Sequence, residues 1–94
     1  MKVIIVGGGA SGLMATLTAS ERPDARVVLL ERQARVGRKL LATGNGRCNL
    51  SNRNLTPKNY HGENAEFCEY ALSRFGPEQT LAWFRALGLL TAAE

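Results

Sequence analysis

The sequence predicts an α/β fold that begins with a parallel strand–helix–strand unit, and three observations predict it. Residues 3 to 6 are an unbroken apolar run, Val-Ile-Ile-Val, that passes directly into Gly7-Gly8-Gly9-Ala10-Ser11-Gly12. Apolar residues then return at helical spacing, at Ala10, Leu13, Met14 and Leu17, which gives a helix one face to lay on a sheet. A second short apolar run, Arg26-Val-Val-Leu-Leu30, ends in Glu31, 19 residues after Gly12. Continuous runs of this length suit parallel strands covered on both faces.

Taken in order, the first strand exits into a Gly-x-Gly-x-x-Gly turn. Gly7 permits the tight exit, Gly9 lets backbone approach a pyrophosphate, and Gly12 lets the helix pack closely on the sheet. The first-turn N–H groups, from Ala10 and Ser11 onward, lack intrahelical partners and lie at the positive end of the helix dipole, so they favour a dianion. Pro23-Asp24 stops the helix. Glu31, at the tip of the second strand, stands close to the roughly 20-residue spacing of the acidic residue that accepts hydrogen bonds from an adenosine ribose. Its charge repels a 2′-phosphate, which selects NAD or the ADP half of FAD over NADP. Arg32 points to the opposite face, where it borders the adenine or meets water. For the glycine triplet alone, a tight turn with a solvated Glu31 is the stronger reading; for the whole unit, the dinucleotide site is.

From Gln33 to Asn59 the sequence has neither helical nor strand period, apart from a short turn around Arg38 to Ala42. Stretches this long are usually functional. Gly44 and Gly46 bracket Asn45, permitting positive φ and bare backbone donors. Arg38, Lys39 and Arg47 supply charge-assisted contacts to phosphate, and Thr43, Asn45 and Asn49 neutral polar ones. A plain surface loop with Asn-Gly turns is the alternative. The rest reads as scaffold. Cys68, Ala71, Leu72 and Phe75 share one face of a helix over 65 to 75, and Gly76-Pro77 breaks the chain into a second helix carrying Leu81, Phe84 and Leu87. Trp83 is a packing residue, Gly88 terminates the helix, and Leu89-Leu90-Thr91 resembles the start of a strand. The boundaries are therefore residues 1–32 for the βαβ unit, 33–63 for the loop and 64–88 for the helical pair.

Length and composition bound the function. At 94 residues the chain is one domain at most, and an enzyme that holds both a dinucleotide and a substrate usually exceeds ~200 residues, so an amino-terminal piece of a longer enzyme is expected. Hydrophobic content of 45% is ordinary, and no segment approaches the ~20 apolar residues of a membrane helix; a cytoplasmic location without membrane contact is the expectation. Cys48 and Cys68 make neither a disulfide framework nor a metal site. His61, the single histidine, has no partner for metal or acid–base work. Net charge is +4, with Arg32, Arg35, Arg38, Lys39, Arg47, Arg53 and Lys58 grouped together. That cluster suits nucleic acid, yet no aromatic precedes Tyr60 for base stacking and no nucleic-acid fold signature is present, and the expectation is of no nucleic-acid partner.

The block Gly37-Arg-Lys-Leu-Leu-Ala-Thr-Gly-Asn-Gly-Arg-Cys-Asn49, preceded by Gly7, Gly9, Gly12 and Glu31, resembles the amino terminus of the BaiN/RdsA family of FAD-dependent oxidoreductases, flavoproteins with two dinucleotide-binding domains. The similarity continues more weakly through Tyr60-His61-Gly62 and the helical stretch to Phe84. It implies a Rossmann-like FAD/NAD(P)-binding domain, incomplete in this chain. Gly7, Gly9, Ser11 and Gly12 would hold the FAD pyrophosphate and Glu31 the ribose, while Lys39 with Thr43 to Arg47 would line the cofactor toward the isoalloxazine. The full candidate set is Gly7, Gly9, Ala10, Ser11, Gly12, Glu31, Arg32, Lys39, Leu40, Thr43, Gly44, Asn45, Gly46 and Arg47; no catalytic side chain and no metal ligand is named. The resemblance further implies hydride transfer from NAD(P)H or substrate through the flavin to a hydrophobic small molecule, by reduction of conjugated double bonds or by amine oxidation. The alternatives are an NAD-binding Rossmann protein without flavin and a noncatalytic basic binding module.

Overall fold

A computed structural model describes residues 1–93. The chain forms two compact units, the first Met1–Asn49 and the second beginning at Leu50.

In the first unit, β1 (Lys2–Val6), α1 (Ala10–Ser20) and β2 (Arg26–Leu30) make the Rossmann-type opening. The strands pair in parallel with Lys2 opposite Arg26 and Val6 opposite Leu30, because an 11-residue crossover helix returns the chain in the same direction. Alternation divides β1: Val3 and Ile5 are half-buried, whereas Ile4 and Val6 are exposed on the other face. The inner face of α1 differs in part from the one its apolar residues suggest. Gly12, Leu13, Met14, Thr16 and Ala19 are half-buried, while Ala10 and Leu17 are exposed. Leu13 and Met14 thus keep the expected face, and it extends to the small residues Gly12, Thr16 and Ala19 rather than to Ala10 and Leu17, with Gly12 beside Ile5. The Thr16 hydroxyl donates to the Gly12 carbonyl at 2.7 Å, which removes its polarity from the interface.

After β2 the chain makes an irregular turn and a short helix, α2 (Arg38–Ala42), opened by Gly37 at φ 71°. A 3₁₀ turn at Gly44–Gly46 completes this unit.

The second unit holds a 3₁₀ turn at Pro57–Asn59, another at Ala65–Cys68 that runs into α3 (Glu69–Arg74), and α4 (Pro77–Ala86). Cys68 and Leu72 are half-buried, but Ala71 and Phe75 are exposed; Phe75 lies past the last helical residue at φ −146° and ψ 77°, off the stripe a continuous helix would give. In α4, Leu81, Trp83 and Phe84 are half-buried, with the Trp83 and Phe84 rings edge-to-face at 4.9 Å; Leu87 is exposed. Gly76 between the helices is buried, and a Cβ there would meet the Leu72 carbonyl oxygen at 2.8 Å. At the far end Gly88, φ 93°, forms a Schellman cap in which Gly88 N–H donates to Arg85 C=O and Leu89 N–H to Phe84 C=O. The expected strand at Leu89–Thr91 does not form, because the cap uses the first amide that strand would offer a neighbour.

Among the described residues no apolar side chain is fully buried, and no helix is long and apolar enough to cross a membrane.

Candidate functional site

The site is built where β1 enters α1. Gly7 leaves the strand at φ 101°, and its N–H extends the ladder by donating to the Leu30 carbonyl at 2.7 Å. Gly8 is buried: its N–H donates to Glu31 Oε1 at 2.9 Å and its carbonyl accepts the Gly37 N–H at 2.8 Å. Gly9 opens α1 in an extended conformation, φ −84° and ψ −166°. A Cβ at Gly9 meets nothing within 4 Å, whereas one at Gly12 would be driven into the Gly7 carbonyl oxygen. The helix start is thus bare where a ligand would approach and tight where the turn folds back on itself. The N–H groups of Ala10, Ser11 and Gly12 belong to the first turn, which has no intrahelical acceptors for them.

Glu31 stands at the end of β2 with both carboxylate oxygens engaged, Oε1 by Gly8 and Oε2 by the Gln33 N–H at 2.9 Å. The Gln33 bond first, then the Gly8 bond, hold its carboxyl below the ordinary glutamate value; partial burial opposes them, and Arg32 adds a smaller pull in the same direction.

A cleft of about 240 Å³ opens between these groups, lined by Gly8, Gly9, Glu31, Gln33, Arg35, Gly37, Arg38 and Lys39. Of the residues the sequence singles out, Gly9, Glu31, Arg38 and Lys39 line it directly. Gly7, Ala10, Ser11 and Gly12 adjoin it in the turn and the first helical residues. Arg32 is exposed next to Glu31, and Leu40 is half-buried on α2. Thr43, Gly44, Asn45, Gly46 and Arg47 form their own turn beyond α2 and do not line the cleft. There Gly44, Asn45 and Gly46 all take positive φ, at 57°, 54° and 86°, as does Cys48 at 62°. The expectation of bare donors at this turn is corrected in part. Gly46 and Cys48 N–H both donate to Thr43 C=O, and Arg47 N–H donates to Gly44 C=O, since such a tight reversal closes on itself. The Thr43 hydroxyl likewise donates to Leu40 C=O at 2.8 Å.

Gly8, Gln33 and Arg35 escaped the sequence reading. Gly8 carried a signal, a third glycine where the fingerprint demands only its neighbours; Gln33 and Arg35 carried none. Arg38 lines the cleft with its guanidinium tied to Gln33 Oε1 at 2.8 Å. The cleft therefore joins bare helix-start amides, a carboxylate suited to hydroxyl donors and three cationic side chains, a combination suited to a phosphorylated sugar nucleotide.

Comparison with known proteins gives a consistent result. Residues 1–94 match the HI0933-like protein Rossmann domain. The chain is 47% identical over 91 residues to a 3-dehydro-bile acid delta(4,6)-reductase of Clostridium scindens, covering 96% of this chain and 22% of that protein. It is 40% identical over 72 residues to a ribosomal RNA dihydrouridine synthase of Escherichia coli and 35% identical over 72 residues to one of Haemophilus influenzae, each match covering 77% of this chain and 18% of the relative. The chain thus spans about a fifth of the length of these curated relatives. Two of these relatives act on RNA by name, which overturns the exclusion of nucleic acid as a partner class. That exclusion rested on missing aromatics before Tyr60 and on the lack of a nucleic-acid fold signature, and an enzyme's RNA-binding groups need not lie in its dinucleotide-binding segment.

Proposed function

This chain belongs to the HI0933-like family through its Rossmann domain, and from that premise we propose that it is the part of a flavin-dependent oxidoreductase that binds the ADP half of FAD. The observation that carries this reading is the pairing of an open Gly9 at the start of α1 with Glu31 at the tip of the adjoining strand. The residues present fit the group. Main-chain amides of Gly9 to Gly12 face the diphosphate, Glu31 accepts the ribose hydroxyls, and Arg35, Arg38 and Lys39 offset the phosphate charge. Glycine at position 9 matters because a side chain there would fill the space the diphosphate takes.

Bound FAD supplies a ring that accepts and returns a hydride. The chain's own residues bind, orient and neutralise; none of those described is assigned to proton transfer. We assign the whole protein to reduction of a carbon–carbon double bond, the chemistry common to a bile acid reductase and a dihydrouridine synthase. A conjugated polycyclic compound is the first substrate class, by similarity to the 47% identical relative. A uracil ring within RNA is the second, favoured by the run from Arg26 to Lys58, where eight Lys and Arg residues accompany a single acidic one, Glu31.

The test is purification of the full-length protein. Yellow colour with flavin absorbance, lost in Gly9→Val, is the expected result. A colourless protein that retains NAD instead would replace FAD in this reading.

A further inference from the structure

Gly8 is gripped from three sides. Glu31 Oε1 accepts its N–H at 2.9 Å, Gly37 N–H binds its carbonyl at 2.8 Å, and the place of its missing Cβ lies 2.7 Å from Val36 Cγ1 and 3.1 Å from Val36 Cβ. All three gripping groups come from one stretch, residues 31 to 37. That stretch is itself braced, by the second Glu31 oxygen on Gln33 N–H at 2.9 Å and by Arg38 on the Gln33 side chain at 2.8 Å. Gly9, the next residue, is in the opposite situation, with open space where its Cβ would be. One peptide of the turn is immobilised from behind so that the following ones are presented in front.

We propose that the 31–37 turn is a strut that positions the phosphate-binding amides of Gly9 to Gly12, with Glu31 and Val36 as positioning residues acting through Gly8. This rests on reading the cleft as an adenine dinucleotide site, and it adds the device that keeps the cradle formed before the coenzyme arrives. A free glycine turn loses much conformational entropy when it orders around an anion, and a turn already ordered avoids that cost on binding. Glu31 serves both ends of the nucleotide at once: each carboxylate oxygen accepts one backbone N–H and keeps a further acceptor site for a ribose hydroxyl. The Val36 side chain is apolar and does not line the cleft, so its effect on binding passes through Gly8.

Calorimetric binding of ADP and of adenosine to the full-length protein separates this from general packing. Gly8→Ala is expected to weaken ADP about tenfold or more, the equivalent of losing one charge-assisted hydrogen bond, while adenosine, which carries no phosphate, changes little. Adding Val36→Gly, which removes the two nearest atoms a Cβ at position 8 would strike and leaves only Glu31 Cβ at 3.3 Å, restores most of the ADP affinity. Val36→Ala alone, which only deletes atoms and so spares folding, lowers ADP affinity with adenosine unchanged. In the unliganded protein, Glu31→Gln speeds hydrogen exchange at the Gly8 amide, because one amide oxygen replaces two carboxylate oxygens. Parallel losses of ADP and adenosine affinity, or a double variant no better than Gly8→Ala, overturn the strut while leaving the coenzyme site standing. A wild-type protein that binds neither ADP nor FAD overturns the site and the strut with it.

Discussion

A Cβ added at Gly12 would run into the Gly7 carbonyl oxygen, whereas one added at Gly9 meets nothing within 4 Å, so the two glycines separate folding from binding. Backbone blocked by backbone cannot be relieved by a rotamer change, and Gly12→Ala should cost about 3 kcal/mol of stability, the upper end of overpacking effects, measured by denaturant titration. Gly9→Val should cost only about 1 kcal/mol, for a poorer helix N-cap, yet abolish FAD retention; retained FAD would remove Gly9 from the cradle. Glu31 gives a pH signature. Its two backbone N–H bonds lower its pKa from the ordinary value of 4.5, so the native state stabilises the charged form. That stabilisation is complete above the ordinary glutamate value and is lost as pH falls through the lowered one. Acid should therefore loosen the glycine turn only below about pH 4.5, and Glu31→Gln should flatten that step in a Gly8 amide-exchange profile. Of these residues, Gly9, Gly12 and Glu31 were legible because their spacing is the signal. Gly8 was not, because its constraint comes from Val36, 28 positions further on, and no local pattern records it.

At the scale of elements, β1 and β2 were legible because a short apolar run bounded by glycine or charge admits few other readings, and α1 because a glycine turn precedes its helical-period run and Pro23-Asp24 ends it. The face of α1 was legible only in part. Apolarity correctly pointed to Leu13 and Met14, but Ala10 and Leu17 are exposed while the small residues Gly12, Thr16 and Ala19 are half-buried. In α3 the expected stripe holds at Cys68 and Leu72 but not at Phe75, because the helix ends at Arg74. Chain ends of helices were read more securely, since a glycine cap is a local backbone event. Gly88 sits at φ 93° with both Schellman bonds made, a conformation that costs a residue with a Cβ roughly 1–2 kcal/mol. Gly88→Ala should lower stability by about 1 kcal/mol through α4 alone, with FAD affinity unchanged; an unchanged denaturation midpoint would show that the cap contributes nothing.

Across the whole molecule, charge is segregated along the chain. Eight cations and one carboxylate lie between Arg26 and Lys58, while the segments on either side carry most of the acidic residues. The sequence showed this cluster, but not its purpose, because one pattern of positive charge serves a diphosphate, an RNA backbone or plain solubility. Arg35, Arg38 and Lys39 line the cleft. Arg53 and Lys58 belong to the second unit and are exposed, and they are the residues that discriminate between substrate classes. If the full-length protein acts on RNA, each phosphate contact made by such a cation releases counterions and steepens the fall of affinity with salt by about 0.7 in the log–log slope for a single strand. Arg53→Glu with Lys58→Glu should then weaken binding of a ribosomal RNA fragment and flatten that slope by about 1.4, leaving FAD content untouched because neither residue lines the cleft. An unaltered RNA slope in the double variant, with flavin still bound, takes these two cations out of RNA contact and leaves the conjugated small-molecule substrate as the stronger reading.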